Sequence, residues 1–216
     1  MTAKHQKITN PNYRQFLDKG EIELITATQI EQALNNIKGR YVEEGRALLC
    51  LLYLTGCRPV EALELKAKDI TRENGHIKVH LTTAKRGRSR TVYLPSRLRL
   101  VKELYTYAVK LYPDMLMFGH FRGNYTRKKI NSKGVTVEHS ETSDKLRYHV
   151  LKWFKGVVPD SIPPYFLRHN RFSALAEAGV SFQELQQLKG AKDPNSIQAY
   201  LHLSSRSAKN LAKKIK

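Results

Sequence analysis

Residues 47–63 read ALLCLLYLTGCRPVEAL and hold the longest apolar run of the chain, followed at once by a stop signal and a new helix start. The eight residues from Ala47 to Leu54 are apolar on every side of a helix, a pattern typical of the centre of a core. Gly56 favours a helix end, and Pro59 fits the first turn of a new helix, where its missing amide hydrogen costs little. The stretch predicts a central helix over 42–55 and a short helix directly after it.

Helical patterns continue on both sides of this stretch. Thr28 and Glu31 form a capping-box pattern ahead of an apolar helical face, and Ser181 and Glu184 form a second one. Together with the glycine and proline stop signals, the patterns predict helices over 28–38, 42–55, 96–111, 143–156, 164–178 and 181–190, and one that begins at Asp193.

The hydrophobic period changes from helical to two after Ile70. Every second residue of 77–81 is apolar, this segment follows the turn pair Asn74-Gly75, and residues 91–94 follow a second turn. We therefore predict a small antiparallel sheet of about three strands in a mostly helical α+β chain. Residues 118–142 are polar and basic, which is typical of a long loop or a flexible hairpin. The expected organisation is an arm over 1–25, one domain over 26–205 and a basic tail over 206–216.

The net charge points to a polyanionic partner. The 216 residues include 38 Lys and Arg against 19 Asp and Glu, which gives a formal charge of +19 and a pI near 10.0. With 41% hydrophobic residues the chain can fill a core, so the charge belongs to a folded protein. Residues 82–101 hold six basic residues and no acidic one, and 121–155 hold nine basic against three acidic. Nucleic acid is the first partner that this indicates and an anionic membrane surface the second.

The sequence argues against several other classes of protein. An apolar run of eight residues is far short of the roughly 20 that span a bilayer, and the N-terminus lacks the apolar stretch of a signal peptide. We expect no membrane segment and a cytoplasmic location. Cys50 and Cys57 show no metal-ligand spacing and are expected to be reduced core residues.

Phosphodiester chemistry that uses no metal remains open to this sequence. Such chemistry needs bidentate cations on the phosphate oxygens, for which Arg is better suited than Lys, together with a nucleophile and a proton donor. The chain has no HExxH motif, no His/Cys cluster with metal spacing and no Walker-type glycine loop. We therefore expect neither a metal nor another cofactor.

Two motifs in the first half of the chain resemble those of the tyrosine recombinases, the phage-integrase family. Residues 54–63, LTGCRPVEAL, look like the first-arginine motif TG-x-R-x-x-E followed by a hydrophobic residue, with Arg58 as the arginine. Lys85, in the segment TTAKRGRSRTVYLP of residues 82–95, matches the position of that family's β-hairpin lysine.

Two further motifs follow in the family's order. Residues 165–169, YFLRH, look like the second-arginine motif H-x-L-R-H, with Arg168 as the arginine. Residues 188–190 and then 197–202, IQAYLH, look like the C-terminal LGH…Y-x-H segment, with Tyr200 in the nucleophile's place. The resemblance covers about residues 26 to 205.

The chain departs from the family pattern at two positions. Tyr165 stands where the family usually has the histidine of H-x-L-R-H, and Ala191 stands where it has the histidine of LGH. A tyrosine can donate a hydrogen bond to a phosphate oxygen, but its pKa near 10 makes it a poor base at neutral pH. The alanine removes a hydrogen-bond donor that normally helps to hold the scissile phosphate.

The resemblance implies a mechanism and a set of residue roles. Tyr200 attacks a DNA phosphate to form a 3′-phosphotyrosine bond, Arg58 and Arg168 neutralise the developing charge, and Lys85 protonates the departing 5′ oxygen. Tyr165 completes the catalytic set. Glu61 is expected to orient Arg58 or its neighbours, and His169 to form structural hydrogen bonds behind the site. From the basic runs we expect DNA contacts at Arg86, Arg88, Arg90, Arg127, Lys128 and Lys129.

Three functions follow from these motifs and stay open at the level of sequence. The first is a site-specific recombinase or integrase that acts as a tetramer on double-stranded DNA, associated with the nucleoid and with a mobile element. The second is a DNA-binding protein on the same fold that has lost turnover, as the departures at Tyr165 and Ala191 suggest. The third is a type IB topoisomerase. Many members carry an additional N-terminal helical clamp domain, so these residues correspond to the catalytic domain alone.

Overall fold

The computed structural model describes residues 24–82, 89–122, 134, 144–158 and 162–190, the two residues Ile197 and Tyr200, and the backbone course of 126–130 and 136–140. Helices and strands are numbered along this part of the chain. The helices are α1 (Ala27–Asn35), α2 (Val42–Thr55), α3 (Pro59–Leu63), α4 (Arg99–Ala108), α5 (Gly119–Arg122), α6 (Asp144–Trp153), α7 (Pro164–Glu177) and α8 (Phe182–Lys189), with a 3₁₀ turn at Ala67–Asp69. The strands are β1 (Ile70–Glu73), β2 (His76–Leu81), β3 (Arg90–Pro95), β4 (Thr126–Ile130) and β5 (Thr136–Ser140).

Helix α2 is the centre of the core, as its sequence predicts. All residues from Ala47 to Leu52 are fully or almost fully buried, and α4 and α7 pack against the helix. A helix buried on all sides needs apolar residues on every face, which this segment has. The left-handed residue Gly56 ends α2, and α3 begins three residues later with Pro59 at its first position.

The strands form two antiparallel sheets. Strand β2 lies between β1 and β3, with Val79 opposite both Ile70 and Val92. Ile77, Val79 and Leu81 are buried, as the period of two predicts. Strands β4 and β5 pair as a separate hairpin within 118–142. The predicted fold class, mostly helical with a three-stranded antiparallel sheet, is therefore confirmed.

The apolar residues form two clusters. The larger one surrounds α2 and takes in the sheet, α4 and α6. The smaller one joins Phe172 and Ala176 of α7, Leu185 of α8, Ile197 and Tyr200. The C-terminal helices thus hold a tyrosine against the rest of the domain through a core of their own.

Several predicted boundaries need correction. The first helix is capped by Thr26, whose side chain accepts a hydrogen bond from Gln29 N–H, and not by Thr28. The helix predicted over 96–111 spans only Arg99–Ala108, and the short helix α5 lies inside the segment predicted as a loop or hairpin. Ile25, at the end of the predicted arm, is buried and donates its N–H to Oδ1 of Asn170 at 2.7 Å. The predicted helix start at Asp193 lies outside the described residues.

None of the helices in the described part of the chain is long and apolar enough to cross a membrane. Cys50 and Cys57 are both buried and unpaired with each other, as expected for reduced core residues. Burial raises the pKa of the Cys57 thiol to about 11.

Candidate active site

The turn between α2 and α3 presents the first arginine. Gly56 takes up a left-handed conformation (φ 59°), and Arg58 follows in an extended conformation as the N-cap of α3. The Arg58 side chain is 36% exposed, so its guanidinium can reach a ligand on the surface. The tight turn therefore brings a partly exposed cation next to the end of a buried helix.

Glu61 orients this arginine through two hydrogen bonds. Its Oε2 accepts the backbone N–H of Arg58 at 2.8 Å, and its Oε1 accepts Nη1 of the same residue at 2.7 Å. The Glu61 side chain is almost completely buried. Burial by itself would raise the pKa of this carboxyl, but the hydrogen bonds and charge of Arg90 and the hydrogen bonds of Arg58 outweigh it and lower the pKa. Glu61 is thus a buried carboxylate that binds the Arg58 side chain, and its supporting role in catalysis stays a prediction.

Arg90 occupies a place different from the one predicted for it. We expected this residue to contact DNA, but its side chain is only 6% exposed and donates from Nη2 to Oε2 of Glu61 at 2.8 Å. The sequence does not reveal this, because Arg90 stands at the end of a basic run, and its burial follows from its position on β3. We therefore correct the prediction for Arg90, which is a buried ion-pair partner of Glu61.

The second arginine lies deep in the domain and bridges two segments. Arg168 is fully buried on α7, and its Nη1 donates to the carbonyl of Gly56 at 2.7 Å. Its Nη2 donates to the carbonyl of Lys189 at 2.7 Å. Burial, reinforced by the charge of Arg58, lowers the pKa of Arg168 to about 10, so the residue remains a cation at neutral pH. The carbonyl that Arg168 binds belongs to Gly56, two residues before Arg58, so the two motif arginines lie in adjoining parts of the fold.

Tyr200 contacts His169, the residue of α7 that follows Arg168. Its hydroxyl is 2.8 Å from Nδ1 of His169, and its ring centroid is 6.1 Å from that of Phe172. Tyr200 is only 2% exposed. Nζ of Lys189 lies over the tyrosine ring at 4.9 Å from its centroid.

Tyr165 stands at the surface beside this pair. It is 45% exposed, and its ring meets the His169 ring edge-on at 5.3 Å between centroids. The structure therefore brings together six of the predicted residues: Arg58, Glu61, Tyr165, Arg168, His169 and Tyr200.

Other predicted site residues lie beyond what the structure describes. Lys85, Arg86 and Arg88 fall in the undescribed stretch 83–88, and position 191 is likewise outside the described residues. Arg127, Lys128 and Lys129 lie on β4, for which the backbone alone is described. Their roles stay predictions.

Lys189 is the residue of this site that sequence reasoning missed. A signal was present, because Lys189 stands directly before Gly190, where the motif LGH has its leucine. Only the fold shows that its side chain turns inward onto Tyr200. Among the described residues, no group of three or more His, Cys, Asp or Glu side chains lies close enough together to hold a metal ion.

Comparison with known proteins explains the arrangement. The model of the phage integrase family matches residues 23–206, which include every motif described above. The chain belongs to the phage integrase family. Within this family it is 30% identical over 195 residues to the tyrosine recombinase XerC of Pelotomaculum thermopropionicum, covering 89% of this chain and 58% of the relative. It is 26% identical over 200 residues to XerD of Staphylococcus saprophyticus, covering 91% and 62%.

Solved structures agree on the fold. A XerH site-specific recombinase bound to a palindromic difH substrate, in a post-cleavage complex, superposes with a TM-score of 0.63 at 22% identity, covering 98% of this chain and 57% of that one. The catalytic domain of bacteriophage HP1 integrase gives a TM-score of 0.56 at 15% identity, covering 89% and 94%. This chain of the phage integrase family therefore shares the fold of these solved structures, and it spans about three fifths of the length of the curated relatives named above.

Proposed function

We propose that this chain is the catalytic domain of a site-specific recombinase that cleaves and rejoins double-stranded DNA through a 3′-phosphotyrosine intermediate. The observation that carries the proposal is the bridge made by Arg168. Its guanidinium is bound to the carbonyl of Gly56, in the first-arginine motif, and to that of Lys189, in the segment that leads to Tyr200. Three motifs far apart in sequence thus meet in one place, with two arginines and a phenol as their functional groups.

The proposed step is a transesterification at a backbone phosphate. The hydroxyl oxygen of Tyr200 forms a bond to phosphorus while the bond between phosphorus and the 5′ oxygen breaks, and the electron pair of that bond goes to the 5′ oxygen. Lys85 supplies the proton that this oxygen takes up. A 5′ hydroxyl can later reverse the step, because the phosphotyrosine ester conserves the bond energy.

His169 is suited to accept the proton of the phenol. In the tautomer that carries its hydrogen on Nε2, Nδ1 accepts the hydrogen bond from Tyr200 across 2.8 Å. The role expected from sequence was structural, but the direct contact with the nucleophile supports proton acceptance as bonding to phosphorus proceeds.

The two arginines divide the stabilisation of charge between them. Arg58 is partly exposed and oriented by Glu61, so it can form two parallel hydrogen bonds to non-bridging oxygens. Arg168 adds a buried positive charge where the dielectric is low and electrostatic interactions are strong. Because Tyr200 is buried, DNA binding must uncover its hydroxyl before attack, while the ring keeps its contacts with His169 and Lys189.

The proposal includes the wider setting expected from sequence. Strand exchange joins two duplexes, so we expect a tetramer on DNA, a cytoplasmic location at the nucleoid and an association with a mobile element. The excess of basic residues, including Arg127, Lys128 and Lys129, supports contact with the phosphate backbone.

A covalent trapping experiment tests the proposal. The protein is incubated with a library of duplexes that carry a randomised core and a nick, so that cleavage releases a short 5′-hydroxyl fragment and prevents religation. After detergent denaturation, DNA attached to the protein is recovered and sequenced. We expect enriched sequences from the wild type and none from Tyr200→Phe, while both proteins bind the library equally before denaturation.

Each other outcome has a defined meaning. Binding without any adduct from the wild type contradicts the recombinase proposal and supports a DNA-binding protein on this fold. An adduct that persists in Tyr200→Phe contradicts the assignment of the nucleophile. Relaxation of supercoiled plasmid without joint molecules between two duplexes supports a topoisomerase instead.

A further inference from the structure

Lys189 places a buried ammonium group beside the nucleophile. The residue ends α8 and is 8% exposed, and its Nζ lies 4.9 Å from the centroid of the Tyr200 ring. A buried lysine loses its hydration, so its charged form is stable only where the surroundings compensate the charge. The C-terminus of α8 supplies part of that compensation through its helix dipole, and the face of the aromatic ring supplies another part.

The backbone carbonyl and the side chain of Lys189 make separate contacts. Its backbone carbonyl accepts Nη2 of Arg168 at 2.7 Å, whereas its side chain lies on Tyr200. A substitution at position 189 keeps the carbonyl and hence the hydrogen bond of Arg168. The effect of the ammonium can therefore be separated from the position of the second arginine.

We propose that Lys189 is a positioning residue for the nucleophile, which holds the Tyr200 ring and favours its phenolate form for attack on phosphorus. This inference rests on the function proposed above. A phenolate spreads negative charge over its ring, so its attraction to an ammonium group within about 4–6 Å exceeds that of the neutral phenol. The low dielectric of the small core strengthens the attraction. The proton still passes to His169, and Lys189 neither gains nor loses one.

The location of Lys189 supports this role better than a purely structural one. The described apolar residues of the small core are Phe172, Ala176, Leu185 and Ile197, and the buried guanidinium of Arg168 lies 5.0 Å from the centroid of the Phe172 ring. An aliphatic side chain would fill such a place without the cost of a buried charge. The chain also has alanine at position 191, so it lacks the imidazole that its family's LGH motif places two residues further on. A cation at position 189 supplies positive charge to the same segment.

The test compares cleavage rates across pH in variants of one residue. Lys189→Met and Lys189→Gln remove the charge and keep the length, Lys189→Arg keeps a cation, and Lys102→Met removes an exposed lysine of α4 as the matched control. Single-turnover adduct formation is followed on the best sequence from the nicked library. We expect Lys189→Met and Lys189→Gln to lower the rate roughly 10-fold or more at neutral pH, with the alkaline rise of the profile moved to higher pH. Lys189→Arg should keep most of the wild-type rate, and Lys102→Met should match the wild type.

A modified substrate separates this role from that of the proton donor. A sulfur in place of the bridging 5′ oxygen leaves as a thiolate without needing a proton. We expect this substrate to rescue Lys85→Ala and to leave the defect of Lys189→Met unchanged. Rescue of Lys189→Met would overturn the inference, because Lys189 would then act on the leaving group.

Each remaining outcome also counts for or against the inference or the proposed function. An unchanged rate in Lys189→Met and Lys189→Gln overturns the inference, and so does a loss that is equal at every pH and is also present in Lys189→Arg. In both cases the wild-type adduct upholds the proposed function. If Lys189→Met lowers the melting temperature so far that the protein unfolds, the comparison of Lys189→Gln with Lys189→Arg decides the question by the same criteria. Absence of any wild-type adduct counts against the proposed function, and nuclear magnetic resonance then tests the inference without DNA. In ¹³C-tyrosine-labelled protein, with Tyr200 assigned from Tyr200→Phe, the ionisation midpoint of its phenol should move to higher pH in Lys189→Gln, and an unmoved midpoint overturns the inference.

Discussion

The carboxylate of Glu61 holds two guanidinium groups at once. One is Arg58, which can reach a ligand, and the other is Arg90, which is buried with it. A buried carboxylate with a single partner would leave acceptor positions unsatisfied, and here both oxygens accept. The position of the exposed arginine therefore depends on a buried ion pair behind it.

Replacing Glu61 should cost stability in a way that depends on pH. Glu61→Gln leaves Arg90 without its counter-charge, which typically costs about 3–5 kcal/mol when one partner of a buried pair is removed. The pKa of Glu61 is lowered in the fold, so its contribution is present above its ordinary value of 4.5 and is lost as pH falls through the folded value. Urea unfolding should thus show a large gap between wild type and variant at pH 7 that narrows on acidification. Glu73→Gln, on an exposed pair with Lys78, should change stability by no more than about 0.5 kcal/mol.

The two cysteines should resist thiol reagents in the folded protein. Burial raises the pKa of Cys50 to about 12 and that of Cys57 to about 11, so the thiolate at pH 8 is roughly a hundredfold or more scarcer than in an ordinary cysteine. We expect negligible colour with Ellman's reagent in buffer and two equivalents in guanidinium chloride. Rapid reaction of the native protein would contradict the burial of both residues.

At the scale of elements, the junction between α2 and α7 depends on Gly56. Its φ of 59° is left-handed, and a Cβ at this position would lie 3.0 Å from Cβ of Arg171 and 3.1 Å from Cε2 of Phe172. Both neighbours belong to α7, which also carries Arg168. The carbonyl of Gly56 accepts that arginine, so the same residue ends one helix and anchors the next part of the site.

Gly56→Ala should therefore damage both stability and cleavage. The left-handed conformation costs about 1–2 kcal/mol for a residue with a Cβ, and the contacts with α7 add to it. Gly75→Ala is the matched control, because Gly75 has φ 76° with nothing within 4 Å of its Cβ position. Denaturant midpoints should fall further for Gly56→Ala than for Gly75→Ala, and only Gly56→Ala should slow adduct formation. Equal losses of stability would contradict the close packing on α7.

Secondary structure was predictable where local signals are strong. Helix α2 and the start of α3 follow from an apolar run and from Gly56 and Pro59, and α8 from the capping box at Ser181. The start of α1 was misplaced because Thr26 and Thr28 both have a partner three residues on, and Gln29 forms the box that the structure uses. The short helix α5 has too few residues to show a period.

At the scale of the whole molecule, the candidate site was predictable in its motif residues and not in the residues between them. The arginines and the tyrosine could be found because their motifs are short and ordered in sequence. The inward turn of Arg90 and the contact between Lys189 and Tyr200 arise from tertiary packing, which places a charged side chain against a group far along the chain or across a helix end. No local pattern records such contacts.

Most of the basic residues behind the charge of +19 should bind the DNA backbone, and a few of them should act on the reacting phosphate. Each phosphate contact by a lysine or arginine steepens the dependence of the logarithm of affinity on the logarithm of salt concentration by about 0.9. The double variant Lys128→Ala, Lys129→Ala should therefore reduce that slope by up to about 1.8 and leave the cleavage rate at saturating protein unchanged.

Arg58→Ala should reduce the slope by no more than about 0.9, since it contacts at most one phosphate, yet lower cleavage at saturation about 10²–10³-fold. Fluorescence anisotropy across a range of salt concentrations, paired with single-turnover adduct formation, measures both quantities on one duplex. If Arg58→Ala lost affinity as steeply as the double variant and cleaved normally once bound, the first arginine would belong to the binding surface and not to the reacting phosphate.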